Sequence, residues 1–300
     1  MDAGLKRELE AKIYAGERLT REDGTALFGS DDLAWLGRLA HHKRTEINGD
    51  RAWFAVNRRL NLDEAVSRAT ELAGRQITEL HIVNAVHSDL PWSYYPDALR
   101  QLRAALPGVS LVGFTTGDVQ RLAAIAGRPA GEILGELTDA GLESLSGDAD
   151  ETVHRLAHER GMKTSAAMVF DGIDHVIRLR ELQDETGGFV AFLPLPRESA
   201  APAEALKAFA VSRLLFDNVD HVRSSWAVHG LPVAQLSLNF GADDLDGSIA
   251  DFDETRDLLN LIWDAGLRPV ERTTRYEVVR EHDAAPRLAD RRSEPQQVWA

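Results

Sequence analysis

From Arg51 to Arg280 the chain alternates two hydrophobic patterns. Short runs such as Leu80-His81-Ile82-Val83 are apolar on both sides, as expected of a parallel sheet covered by helices. Between such runs, apolar residues recur at helical spacing, for example Leu62, Ala65, Val66, Ala69, Leu72 and Ala73, or Leu258, Leu259, Ile262 and Trp263. Three helical stretches end in glycine, at Ala140-Gly141-Leu142, Arg160-Gly161-Met162 and Ala265-Gly266-Leu267. Glycine takes the left-handed conformation past a helix without a Cβ penalty. The pattern predicts eight strands, at 52–57, 79–85, 111–115, 142–145, 163–169, 189–193, 221–226 and 242–245. Eight such units with short loops predict an α/β fold of the (β/α)8 TIM-barrel type, with an open doubly wound sheet as the alternative. Ahead of it, helical patterns at 5–15, 20–28 and 33–42 predict an N-terminal helical cap or partner-binding arm. The chain thus divides into a helical extension over 1–50, a barrel with a C-terminal strand near Tyr276-Glu277-Val278-Val279 over 51–280, and a tail over 281–300. The tail is rich in Pro, Asp and Arg, which predicts disorder.

Composition removes several classes of function. An apolar share of 44% with 27% charged residues is that of an ordinary globular chain. The 34 Lys and Arg against 48 Asp and Glu give a formal charge of −14, a surface that repels phosphate backbones, so no nucleic-acid partner is expected. No apolar run approaches the ~18 residues of a spanning helix, and Met1 to Glu10 is charged rather than signal-like, so the expected location is cytoplasmic. The 300 residues include no cysteine. That excludes disulfides, a Cys nucleophile, thiolate zinc sites and iron–sulfur clusters held by Cys sulfur.

Several long phrases narrow the reading further. These are Glu79-Leu80-His81-Ile82-Val83-Asn84, Asp89-Leu90-Pro91-Trp92 with Tyr94-Tyr95-Pro96, the stretch from Arg178 to Phe189, the stretch from Ala210 to Asn218, and that from Gly241 to Ser248. Together they resemble the aminofutalosine synthases, radical S-adenosylmethionine enzymes of the futalosine route to menaquinone, over about Leu5 to Arg280. The resemblance implies a barrel whose top carries a [4Fe–4S] cluster on a C-x3-C-x2-C loop after the first strand. It further implies an adenosyl radical that adds to the enolpyruvyl ether of 3-[(1-carboxyvinyl)oxy]benzoate.

The chain departs from that pattern at the cluster. The matching loop should begin near Val56-Asn57-Arg58, yet only Arg58, Arg59 and Leu60 separate the predicted strand from Asn61-Leu62-Asp63-Glu64, which has the form of a helix-starting capping box. So short a joint leaves no room for a cluster-binding loop. Other connections on the same face are also shorter than the family's: Ser146 to Asp150, Phe170 to Ile173, and Leu195 to Ser199. Barrels keep their active sites on this face. No [4Fe–4S] cluster is therefore expected, and the fold is expected to persist with the radical chemistry removed.

The remaining polar positions give the candidate ligand residues. His81, Asn84 and His87 leave the second strand where the family's turn approaches the amino end of S-adenosylmethionine; Ala85 stands where a glycine is usual and Ser88 where a proline is. Should that glycine need a positive φ, Ala85 would impose strain or a different turn. Thr115 ends the third strand, and Trp226 and His229 follow the seventh. Asp243, Asp244 and Asp246 place three carboxylates within four residues, suited to a hard cation or ribose hydroxyls, or equally to helix capping and pairing with Arg. His154 and His158, four apart on one helix, read as surface residues rather than metal ligands, and Gly187-Gly188 as a helix C-cap. No metal site is expected. Two functions remain: a cluster-free binding or regulatory homologue, with a protein partner, or a repurposed enzyme holding S-adenosylmethionine or another adenosine-like ligand at the mouth. The second predicts a closed pocket containing His81, Asn84, His229 and Asp244. Sequence likeness alone would carry the family's own activity over, which a likeness of fold does not establish.

Overall fold

Asp2, Thr20 and Asp32 each precede a run of helix formers, and each turns its side chain onto free N–H groups of the following first turn. They start α1 (Ala3–Tyr14), α2 (Arg21–Phe28) and α3 (Leu33–Asn48). These elements come from a computed structural model that describes residues 1–300 except 76, 88, 146, 148–149, 248–254, 283–284 and 286–300. The predicted tail thus lies almost wholly outside the described residues. Leu9, Ile13, Leu27, Leu36 and Leu39 of the three helices pack into one apolar cluster with the second half of the chain, including Phe189, Leu214 and Phe216. Arg180 fastens them there by donating to the carbonyls of Leu19 and Leu215, at 2.8 and 3.2 Å.

The rest of the chain runs strand to helix. It proceeds through β1 (Arg51–Phe54), β2 (Asn57–Asn61), α4 (Leu62–Ser67), α5 (Ala69–Ala73), β3 (Glu79–Val83), α6 (Tyr94–Ala105), β4 (Ser110–Gly113), α7 (Thr116–Ala126), α8 (Ala130–Asp139), β5 (Leu142–Leu145), α9 (Glu151–Glu159) and β6 (Thr164–Val169). It continues with α10 (Asp174–Thr186), β7 (Phe189–Leu195), α11 (Pro202–Leu215), β8 (His221–Ser225), α12 (Trp226–His229), α13 (Leu231–Ser237), β9 (Asp244–Asp246), α14 (Thr255–Asp264), β10 (Arg268–Arg272) and β11 (Val278–Glu281). Eight strands, β2 to β9, are the staves of a TIM-type barrel. Their ladders form two pieces among the described residues: β2-β3-β4-β5, and β11-β10-β1-β9-β8-β7-β6. All pairings are parallel except that of β10 with β11. Among the described residues the ladder is not closed at β5/β6 or at β9/β2. At the first seam Gly147 lies so close to β6 that a Cβ there would be 2.5 Å from the Ser165 carbonyl oxygen, so only glycine fits. No described helix is long and apolar enough to cross a membrane.

Several strand boundaries differ from the sequence expectation, and the first difference matters most. The predicted strand 52–57 is two strands. The apolar half, β1, lies outside the barrel staves beside β9 and β10, and the polar stretch Asn57 to Asn61 is the first stave. Helix α4 then begins at Leu62 with no intervening residue, where a three-residue joint was expected. Asn61 caps it through its side chain, 2.8 Å from the Glu64 N–H. Glu64 turns instead to Arg68, so the box is half formed. A strand at β10 was not foreseen, and the C-terminal strand starts two residues later than the pattern suggested. Replacing Asn61 by Ala is expected to lower the unfolding free energy by about 1 kcal/mol, while Asn61→Asp changes it little. Urea titration measures both.

Candidate functional site

Inward positions of the staves line a cavity of about 340 Å³ that runs from Glu79 and Thr274 at the closed end to Asn84, Thr115 and Val228 at the mouth. Its volume falls at the lower end of small-molecule sites. The two halves of its wall differ in kind. Strands β4 to β7 contribute Val112, Ser144, Ser165, Ala167, Leu193 and Leu195, small or apolar. The opposite strands contribute Arg59 from β2, Glu79 and His81 from β3, Arg223 and Ser225 from β8, and Asp246 from β9. These alternate along their strands because every second residue of a stave faces the axis.

The charged half is tied together behind the cavity. Arg272, fully buried at the end of β10, donates to Glu79 at 2.7 Å and through two nitrogens to Asp244 at 3.0 and 2.8 Å. Asp244 also accepts from Arg223 at 2.7 Å and from the Tyr276 hydroxyl at 2.6 Å. Glu79 pairs with His81 Nε2 at 2.7 Å and accepts from Thr274 at 3.0 Å. Nearer the mouth Asp246 accepts from Asn57 at 2.8 Å and from Arg59 at 3.3 Å. Burial alone would push the Glu79 carboxyl up, but the Arg272 charge and the His81 hydrogen bond outweigh it and hold it well below the usual range. Asp246 is likewise held down, against burial, by His81, Arg223 and Arg59. At the mouth Asn84 and Phe114, which end β3 and β4, have φ of 47° and 54°. The left-handed residue of the β3 turn is thus Asn84, a tolerant type, and Ala85 has no positive φ. The neighbouring Ser88 lies outside the described residues.

Of the residues singled out in the sequence, His81, Asn84, Thr115 and Asp246 line this cavity. The other five do not. His87 is exposed and bonds through its backbone to the Tyr95 hydroxyl. Trp226 is buried in the apolar core, against Gly247, where a Cβ would lie 2.1 Å from the indole. Both ring nitrogens of His229 sit against backbone carbonyls, those of Ser225 and Pro194 at 2.9 and 3.0 Å. Asp243 is buried against Arg213 and His221. Asp244 belongs to the closed end, behind the cavity. The three carboxylates therefore pair with arginines and do not converge. His154 and His158 are not surface residues. His154 is fully buried, and both rings bond Thr164, with His158 also 2.7 Å from the Thr186 hydroxyl. Burial and the neighbouring His154 hold His158 down, to about 4. Arg59, Glu79, Arg223 and Ser225 escaped the sequence reading. Their signal was charged or polar residues at alternate positions in strands, as in His221-Val222-Arg223-Ser224-Ser225.

This barrel architecture recurs in solved structures of other proteins. Methylornithine synthase superposes with a TM-score of 0.62 over 87% of this chain and 97% of its own, at 14% identity. The FeFe-hydrogenase maturase HydG from Carboxydothermus hydrogenoformans gives 0.66 over 91% and 80%, also at 14%. No protein-family profile matches the chain. Individual relatives do: it is 46% identical to the aminodeoxyfutalosine synthase of Streptomyces coelicolor, over 94% of this chain and 96% of that protein. It is 30% identical to the aminodeoxyfutalosine synthase of Thermus thermophilus, over 91% and 95%. The chain belongs to the aminodeoxyfutalosine synthase family. The Streptomyces alignment runs over 372 positions but takes in 94% of 300 residues, about 280, so about 90 of its positions face no residue here.

The donor set does not fit the cluster that the fold family implies. Its ligands are thiolates, and the sequence has none. The β2–α4 joint, where a cluster loop would begin, has no residues to form one. Among the described residues no three His, Cys, Asp or Glu side chains are grouped to hold a metal.

Glu79, Asp243 and Asp246 are all held below their ordinary values, so each stabilises the fold fully above the unfolded carboxylate value near 4 and loses that contribution as pH falls below it. Unfolding free energy is expected to fall between about pH 6 and pH 3. Glu79→Gln should be less stable by about 3 kcal/mol at pH 6 and lose less over the same interval. Urea titrations at both pH values check this, and parallel profiles for the two proteins would contradict it.

Proposed function

We propose that this chain is a cluster-free member of the aminodeoxyfutalosine synthase family that performs no radical chemistry and acts as a ligand-binding or regulatory homologue in or near menaquinone biosynthesis. The observation that carries the proposal is the direct passage from β2 into the Asn61-capped helix in a chain without thiols. Reductive cleavage of S-adenosylmethionine needs an electron from a cluster, and among the described residues no group of side chains replaces the missing ligands. The staves, their polar interior and the cavity persist meanwhile, which supports a retained capacity to bind.

A second reading is a repurposed enzyme that holds an adenosine-containing ligand; of the four residues it required in one pocket, His81 and Asn84 line the cavity and His229 and Asp244 do not. In that reading Arg59, His81 and Ser225 orient the ligand by hydrogen bonds, and the Glu79 carboxylate fixes the His81 ring. A proton taken from the ligand would go to the second ring nitrogen of His81, which has no protein partner among the described residues.

Anaerobic incubation with iron, sulfide, reductant and S-adenosylmethionine tests the first reading. After desalting, the protein is expected to show no cluster absorption and no cleavage product above a protein-free control. A retained cluster band with turnover of S-adenosylmethionine would overturn it. Conversion of an adenosine-containing compound without iron would instead favour the second.

A further inference from the structure

Counting charge around the cavity leads to its ligand class. Three guanidinium groups, Arg59, Arg223 and Arg272, face three carboxylates, Glu79, Asp244 and Asp246, and each cation is paired with one or two of those anions. The arginine and carboxylate charges of the wall sum to zero, three against three. Asp118, the other ionisable group at the mouth, is occupied by the Thr115 N–H and by Arg121. A ligand with net charge would enter a wall whose cations are each already paired with a carboxylate, or would have to break a buried pair, which is costly.

Unused hydrogen-bonding capacity tells what the wall does accept. Ser225 is 1% exposed and lines the cavity, and its hydroxyl has no partner among the described residues. Such a buried hydroxyl calls for one. Arg59 spends only Nη1 on Asp246, at 3.3 Å, and its side chain is one-third exposed, so the rest of its fork is available to acceptors. His81 adds its second ring nitrogen. Across from these groups, Val112, Ala167, Leu193 and Leu195 offer an apolar surface for a flat body.

We infer that the barrel takes an uncharged ligand of nucleoside size, with hydroxyl or carbonyl groups on the β2–β3–β8–β9 side and a ring against β4–β7, and that it discriminates against ionic versions of that ligand. The inference rests on the proposed reading of the barrel as a cluster-free binding site, and adds which ligands it selects.

The test is calorimetric titration with three probes that share one body: adenosine, uncharged; S-adenosylmethionine, with its sulfonium; and adenosine monophosphate, a dianion. Adenosine is expected to bind at least about tenfold more tightly than either charged probe, a difference of about 1.4 kcal/mol. Asp246→Asn leaves the wall with one excess positive charge and is expected to improve the monophosphate about tenfold relative to adenosine. Arg59→Met leaves one excess negative charge and should shift preference toward S-adenosylmethionine, so that the scheme holds even if one variant does not fold. Equal or tighter binding of either charged probe to the unmodified protein would overturn the inference. So would failure of all three to bind below about 1 mM. Neither result touches the cluster-free reading, which the reconstitution spectrum decides separately.

Discussion

Arg272 joins the two halves of the barrel where the ladder does not. It stands at the end of β10, in the larger sheet, and reaches Glu79 at the start of β3, in the smaller one, while its other nitrogens hold Asp244 of β9. The Asp246 contacts with Asn57 and Arg59 make the same crossing nearer the mouth. This seam is therefore closed by side-chain charge pairs rather than by backbone hydrogen bonds. Removing one partner of such a buried pair leaves the other uncompensated, which costs more than the pair contributes. The polar interior is for that reason hard to erode piecemeal. The same pairs line the cavity, so holding the barrel shut and shaping its contents are one constraint.

The direct passage from β2 into α4 fits this division of labour. Loops at the C-terminal face of a barrel add function to a scaffold that does not need them to fold. Here β2 feeds directly into α4, and Asn61 satisfies the helix end that a longer loop would have left to other groups. The staves lose nothing by it. About 90 aligned positions of a 46%-identical relative are absent here, yet all eight barrel strands remain.

Much of this was legible in the sequence because the barrel's grammar is local. Gly141, Gly161 and Gly266 end their helices at positive φ, as the joints predicted, and Gly187 closes α10 in the left-handed conformation. The first stave was misplaced because Asn57-Arg58-Arg59-Leu60-Asn61 is polar, and a polar stretch reads as a loop unless its charges are known to face a paired interior. The site suffered from the same blindness. Arg223 and Asp244 are neighbours only because β8 lies beside β9, and Arg272 meets Glu79 across 193 positions of sequence. Spacing along the chain carries no sign of such partners. His154 and His158 were read as exposed because nothing local reveals that Thr164 and Thr186 wait to satisfy them. For the acidic triplet, pairing with Arg was one of the two alternatives the sequence offered and is the one seen: adjacent strand residues point to opposite sides, so Asp243 leaves the barrel while Asp244 and Asp246 enter it.

The account stands or falls on whether the protein, as its own cells make it, is free of iron. Isolation under strict exclusion of oxygen, followed by iron and acid-labile sulfide analysis with electron paramagnetic resonance of the reduced sample, measures this directly. The account predicts well under one iron atom per chain and no cluster signal. About four iron atoms and four sulfides per chain, with the resonance of a reduced [4Fe–4S] centre, would contradict it by requiring cluster ligands other than the thiolates this sequence lacks.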